Sequence, residues 1–144
     1  MKLRALPGIF VLLIACSSIA YSQSLIEEFS FQIKDFKMDH QTQTNNLNIS
    51  ISYRYIANIE KAQYPDFRWL AKDVETLLSN YPNKDDYWEI VNKQITSLLL
   101  NKYPGIARVT CELKVDPSGL VPYTRSSRVT RERTTPKSNR KRIG

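Results

Sequence analysis

Alternating apolar and polar residues predict a β-hairpin in the first half of the chain. The first pattern slips by one residue near Asp35, which indicates a β-bulge, and the second pattern is regular. The apolar positions are Phe29, Phe31, Ile33, Phe36 and Met38 in the first strand, and Leu47, Ile49, Ile51, Tyr53 and Tyr55 in the second. Residues 39–46 between them are polar and predict a turn in which His40, the chain's one histidine, is exposed to solvent.

The central stretch from Tyr64 to Pro104 changes to helical spacing. Two apolar stripes predict two amphipathic helices, separated at Pro82 and Asn83. The stripes are Phe67, Leu70, Val74, Leu77, Leu78 and Tyr81 in the first helix, and Trp88, Val91, Ile95, Leu98 and Leu99 in the second. A helix with a single apolar stripe packs well on a sheet, so both helices are expected to cover one sheet face.

Alternation returns after the helices and predicts two further strands. Val109, Cys111, Leu113 and Val115 mark the third strand. A turn at Pro117-Ser118-Gly119 follows, and residues 121–130 form a weaker, edge-like fourth strand. The predicted fold class is therefore α+β: an antiparallel four-stranded sheet with two helices on one face, in the order ββααββ. Residues 23–130 form a single domain, and residues 131–144 form a basic, disordered tail.

The first 22 residues have the layout of a secretory signal, with Lys2 and Arg4 before a short apolar run. Ala20-Tyr21-Ser22 suits ordinary signal cleavage and predicts a periplasmic or secreted protein. Leu13-Ile14-Ala15-Cys16 resembles a bacterial lipobox, which makes Cys16 a possible lipidation site and predicts a membrane-anchored lipoprotein instead. A retained membrane anchor is a third alternative.

The cysteines and the histidine limit the available chemistry. Once a signal is removed, Cys111 is the one remaining cysteine, so no internal disulfide is expected. Its place in a strand pattern predicts a buried, inert thiol. A single histidine supports neither a Cys/His zinc site nor a histidine-based catalytic triad, and no glycine-rich phosphate loop is present. No metal and no cofactor are therefore expected.

The net charge of +7 is distributed unevenly. Residues 23–120 contain 11 basic and 13 acidic side chains, whereas residues 121–144 contain 8 basic and 1 acidic. The candidate polyanion-binding residues in the tail are Arg131, Arg133, Lys137, Arg140, Lys141 and Arg142. They predict a salt-sensitive contact with an anionic envelope surface rather than with a specific nucleic acid, and the alternative is a solubilising tail without a partner.

Glu89 is the candidate ligand-binding residue, and two interpretations are open. Asp86-x-x-Glu89 has the spacing of a capping box, in which Glu89 would satisfy the start of its own helix. The second interpretation comes from a resemblance. The order ββααββ, with Tyr87-Trp88-Glu89-Ile90 opening the second helix and Tyr103-Pro104 closing it, resembles dihydroneopterin aldolase and the wider tunnelling-fold group. The resemblance implies that Glu89 holds the amide and amino edge of a pterin or purine.

The same resemblance implies a homo-oligomer, because tunnelling-fold subunits form rings through their sheets. The sequence also departs from the aldolase pattern at its catalytic motif. The aldolase's Lys-Pro after the third strand is replaced by Asp116-Pro117, and Lys114 lies two positions away, on the outward face of the strand by alternation. No residue is expected to be catalytic, so the sequence favours a binding protein over an enzyme. The alternative is an envelope interaction protein that works through the basic tail, with no small-molecule site.

Overall fold

The computed structural model describes residues 25–134, which form a four-stranded sheet and two helices. The elements are β1 (Glu28–His40), β2 (Gln43–Tyr55), a short 3-10 helix (Lys61–Gln63), α1 (Phe67–Ser79), α2 (Trp88–Lys102), β3 (Ile106–Val115) and β4 (Arg125–Glu132). The predicted α+β class and the order ββααββ are confirmed. The predicted signal with Cys16, and the tail residues Lys137, Arg140, Lys141 and Arg142, lie outside the described residues. Within residues 25–134, no helix is long and apolar enough to cross a membrane.

The strands pair in chain order, β1-β2-β3-β4, and every neighbouring pair is antiparallel. The register of β1 against β2 shifts between Ile33 and Phe36, and Asp35 has a φ of 55° there. This is the β-bulge that the slipped pattern predicted. It keeps Phe36 and Met38 on the same face as Ile33, so the whole strand contributes to one core.

The hydrophobic core lies between the two helices and one face of the sheet. Its fully buried members include Leu47, Ile49, Ile51, Leu70, Val74, Ile95, Leu99, Val109, Leu113 and Val115. Full burial of each such side chain contributes roughly 1.5–3 kcal/mol. Cys111 is also buried, as expected, and burial raises the pKa of its thiol to about 12, with a smaller contribution from Glu112. Leu98 departs from the predicted stripe because it is only half-buried.

The turn between β1 and β2 is tighter than the sequence predicted. Only Gln41 and Thr42 connect the strands, with φ values of 52° and 64°. Two successive left-handed residues are typical of a two-residue hairpin turn, which usually contains asparagine or glycine. Because β1 therefore continues to His40, that residue is buried with 1% of its surface exposed. The prediction of a solvent-exposed His40 was wrong.

The C-terminal boundary also differs from the predicted one at residue 130. β4 begins at Arg125 and runs to Glu132, with Arg131 paired to Val109. The next residue, Arg133, donates a backbone hydrogen bond to the carbonyl of Ala107 and side-chain bonds to the carbonyls of Leu100, Tyr103 and Ile106. Residues 131–133 therefore belong to the domain, because the β3–β4 ladder and these carbonyls give them partners that composition does not reveal.

Candidate functional site

Asp86, at the entrance to α2, is held by groups from three elements. Its carboxylate accepts hydrogen bonds from the Tyr81 hydroxyl at 2.7 Å and the Asn83 amide at 2.6 Å. Its backbone carbonyl lies 2.8 Å from Nε2 of His40 and accepts a bond from the Gln41 amide at 3.1 Å. Burial, and to a lesser extent the bond to Asp86, raises the pKa of Tyr81 to about 12. The start of α2 is therefore fixed by contacts that do not involve Glu89.

The capping box between Asp86 and Glu89 is not formed. The N-cap residue of α2 is Tyr87, and no side chain caps the helix. Glu89 lies in the first turn with an exposed side chain, and among residues 25–134 no group donates a hydrogen bond or forms an ion pair with its carboxylate. Of the two interpretations of Glu89, the structure removes the one in which it caps the helix.

The residues beside Glu89 present an unusual amount of apolar surface. Tyr87 is 72% exposed and Ile90 is 37% exposed, whereas Trp88 between them is buried against the His40 ring at 4.5 Å. Glu89 does not line the three cavities of the helix-free face, the cavity beside Leu98 or the cavity beside His40. One subunit thus supplies a carboxylate with apolar neighbours but not an enclosed pocket.

Asp116, directly after β3, has a structural role. Its carboxylate accepts hydrogen bonds from the Asn46 amide at 2.6 Å and from the Asn48 amide at 3.1 Å, and its backbone N–H donates to the carbonyl of Asn46 at 2.9 Å. These bonds fix the end of β3 against β2. Lys114 is exposed on the helix-free face, where it lines a cavity with Asn48 and Glu112. Within residues 25–134, no cluster of three or more potential metal ligands occurs.

The predicted ligand-binding residue and the predicted polyanion-binding residues lie far apart in the structure. Glu89 lies at the start of α2, whereas Arg133 binds the carbonyls at its end, roughly 20 Å away at 1.5 Å per helical residue. Both residues are exposed, but the guanidinium of Arg133 has three carbonyl partners, whereas the side chain of Arg131 forms no hydrogen bond or ion pair among residues 25–134.

Sequence reasoning missed the role of His40 at this end of the molecule. The residue contacts Trp88 and also meets the Tyr81 ring edge-on at 5.9 Å. A signal was present, because His40 continues the alternation of Phe36 and Met38. The polar composition of residues 39–46 concealed it.

Comparison with known proteins identifies the fold. No protein-family model and no curated protein sequence matches the chain. Among solved structures, a Vibrio cholerae protein assigned as a dihydroneopterin aldolase matches with a TM-score of 0.55 at 10% identity, over 73% of this chain and 98% of that one. A dihydroneopterin aldolase from Burkholderia thailendensis, bound to guanine, matches with a TM-score of 0.55 at 10% identity, over 74% and 93%. This chain therefore shares the fold of the dihydroneopterin aldolases, as the resemblance predicted.

Proposed function

We propose that this protein is an oligomeric binding protein for a planar nitrogen heterocycle of the purine or pterin class, held by Glu89. The observation that carries the proposal is the exposed, unpaired carboxylate in the first turn of α2. A carboxylate accepts two parallel N–H bonds from the amide and amino edge of such a ring. The similar fold of a protein bound to guanine supports this class of ligand.

The binding site needs a second subunit. Glu89 and its apolar neighbours Tyr87 and Ile90 lie on an open surface, which gives a flat heterocycle nothing to enclose it. β1 and β4 are the edges of the sheet, and alternate residues of the 13-residue β1 direct their backbone N–H and C=O groups away from β2. We expect a homo-oligomer whose interface completes the pocket, and sedimentation showing only monomer at micromolar concentration would contradict it.

The residues at the end of β3 support a binding role without catalysis. Asp116 is bonded to two asparagine amides, and Lys114 lies on the helix-free face, away from α2. Within one subunit, both residues lie on the face of the sheet opposite the helices, whereas Glu89 lies on the helix side. We therefore propose that the protein retains or delivers its ligand rather than converting it.

Calorimetric titration with guanine tests the proposal. Wild type should bind guanine, and Glu89→Gln should weaken binding by at least about tenfold, because a hydrogen bond to a charged group contributes about 1.5–3 kcal/mol. The matched control is Glu75→Gln, which removes the same charge from an exposed position on α1. Equal binding by all three proteins, or no binding by wild type when pterins have also been tried, would refute the proposal.

Export and the basic tail suggest a second candidate function. The signal-like residues 1–22 support a periplasmic, secreted or lipid-anchored protein, and the tail supports contact with an anionic envelope surface. Because Arg133 is bonded to the domain, the tail that is free for this role begins after it. Removal of residues 135–144 should abolish salt-sensitive binding to vesicles of anionic lipid, and unchanged binding would exclude this function.

A further inference from the structure

The helix-free face of the sheet is polar and ordered in rows across the four strands. One row pairs Ser30 with Ser52, Ser52 with Thr110 and Thr110 with Thr130, and the last two hydroxyls lie 2.9 Å apart. The adjacent row contains Glu28, Arg54, Arg108 and Glu132, each directly opposite the next. A row of hydroxyls therefore runs beside a row of charges.

Three arginines of this face meet at one cavity. Arg54 of β2, Arg108 of β3 and Arg128 of β4 line a space of about 180 Å³ together with Glu28, Ser52, Tyr53 and Thr110. Three guanidinium groups and one carboxylate give this cavity a formal charge of +2. Two further carboxylates, those of Glu132 and Glu112, lie opposite Arg108 and Arg128 on the β3–β4 ladder but do not line the cavity.

The positive charges of this cavity are incompletely paired within the subunit. Arg54 forms an ion pair with Glu28 at 3.1 Å. Among residues 25–134, Arg108 and Arg128 form neither an ion pair nor a side-chain hydrogen bond, although Glu132 and Glu112 face them across the β3–β4 ladder. Arg54 and Arg108 are moreover directly opposite on adjacent strands, and like charges in that position destabilise a sheet. A bound anion removes this penalty.

We propose that the cavity of Arg54, Arg108 and Arg128 is a binding site for a phosphate-sized oxyanion group of a small ligand. Guanidinium groups present paired N–H donors that match the oxygens of phosphate, and charge-assisted bonds of this kind are among the strongest hydrogen bonds in proteins. The hydroxyls of Ser52 and Thr110, which also line the cavity, supply neutral donors. The site is independent of Glu89, which lies on the helix side of the sheet.

Thermal denaturation of the full chain with inorganic phosphate tests the site, at an ionic strength held constant with sodium chloride. Wild type should gain at least about 3 °C in Tm at saturating phosphate, because a ligand that binds only the folded state stabilises it. Arg108→Gln and Arg128→Gln should lose most of that gain. Without phosphate, Arg108→Gln should have nearly the same Tm as wild type, because it removes the like-charge opposition to Arg54 and also the opposite-charge opposition to Glu132.

Lys114→Gln is the matched control, because it removes one positive charge from the same face and the same strand as Arg108 but outside the cavity. It should respond to phosphate as wild type does. The basic tail is identical in all four proteins, so its own affinity for phosphate cancels in the comparison. A wild type that does not respond, or four proteins that respond equally, would overturn the proposal.

Discussion

The two ends of α2 both differ from what the sequence predicts. The residue spaced to cap the start of the helix does not cap it, and a residue predicted to be in a disordered tail is bonded at its end. At the start, Glu89 is spaced as a cap but has no hydrogen-bond or ion-pair partner among residues 25–134, and Asp86 is bonded by His40 and Tyr81. At the end, Arg133 belongs to a stretch that reads as a disordered tail, yet its guanidinium binds three carbonyls. The comparison teaches that distant parts of the chain contact both ends of this helix: His40 and Gln41 reach the Asp86 carbonyl before its start, and Arg133 reaches the carbonyls at its end.

α1 shows the opposite behaviour. Its N-cap is Asp66, whose carboxylate accepts a hydrogen bond from the backbone N–H of Arg68 at 3.0 Å. That cap is local, because Asp66 directly precedes the helix that it caps. α2 has no such local cap, and the carboxylate in its first turn, Glu89, has no hydrogen-bond or ion-pair partner among residues 25–134.

The largest effect is expected at the start of α2. Replacing His40 with alanine should lower the free energy of unfolding by about 3 kcal/mol, because it leaves a cavity beside Trp88 and removes the ring nitrogen that the Asp86 carbonyl contacts. Urea denaturation measures the change. Lys37→Ala, at an exposed position of the same strand, should stay within about 0.5 kcal/mol. A loss below about 1 kcal/mol in His40→Ala would show that this contact does not fix the helix start.

The end of α2 should show a smaller effect. Replacing Arg133 with alanine should cost about 1–2 kcal/mol in the free energy of unfolding, because three carbonyls lose a charged donor close to solvent. Arg131→Ala removes the same charge two residues earlier, where the side chain is exposed, and should have almost no effect. If the two variants are equally stable, the bonds of Arg133 are not important for the fold.

Asp73 links α1 to the end of α2, and its contribution should depend on pH. Its carboxylate accepts bonds from Lys102 at 2.7 Å and from the Tyr103 hydroxyl at 2.5 Å. Burial raises the pKa of Asp73, but these bonds and the charge of Lys102 outweigh burial, so the pKa lies below 3.8. A lowered pKa stabilises the fold above the unfolded value, and this stabilisation is lost as the pH falls through the folded one.

Asp73→Asn should therefore cost about 1 kcal/mol at neutral pH, and the difference from wild type should narrow as the pH falls below about 3.8. Denaturation curves across the acid range measure it. Glu75→Gln, on the same helix and exposed, should show no such pH-dependent difference. A difference that stays constant into acid would mean that the charge of Asp73 is unimportant.

The alternating and helical patterns were sufficient to predict the sheet, the helices and the bulge at Asp35, because each depends on local periodicity. They failed where a contact between distant residues decides the structure. Burial of His40 requires Trp88 to cover it, and the order of Arg133 requires the end of α2. No short-range pattern contains this information. The resemblance singled out Glu89 as a candidate residue. That Glu89 does not cap α2 is seen only in the structure, where Tyr87 is the N-cap residue and the Asp86 carboxylate is bonded to Tyr81 and Asn83.

Glu89→Gln should have the smallest effect on the free energy of unfolding of the unliganded protein. This variant tests the central claim, that Glu89 does not stabilise the fold and is available to a ligand. Denaturation of wild type and Glu89→Gln should be compared with and without guanine. The two proteins should unfold within about 0.5 kcal/mol of each other without ligand, whereas loss of a cap would cost about 1 kcal/mol. Guanine should then stabilise only wild type. A variant that is destabilised without guanine, or that gains as much as wild type with it, would contradict the account.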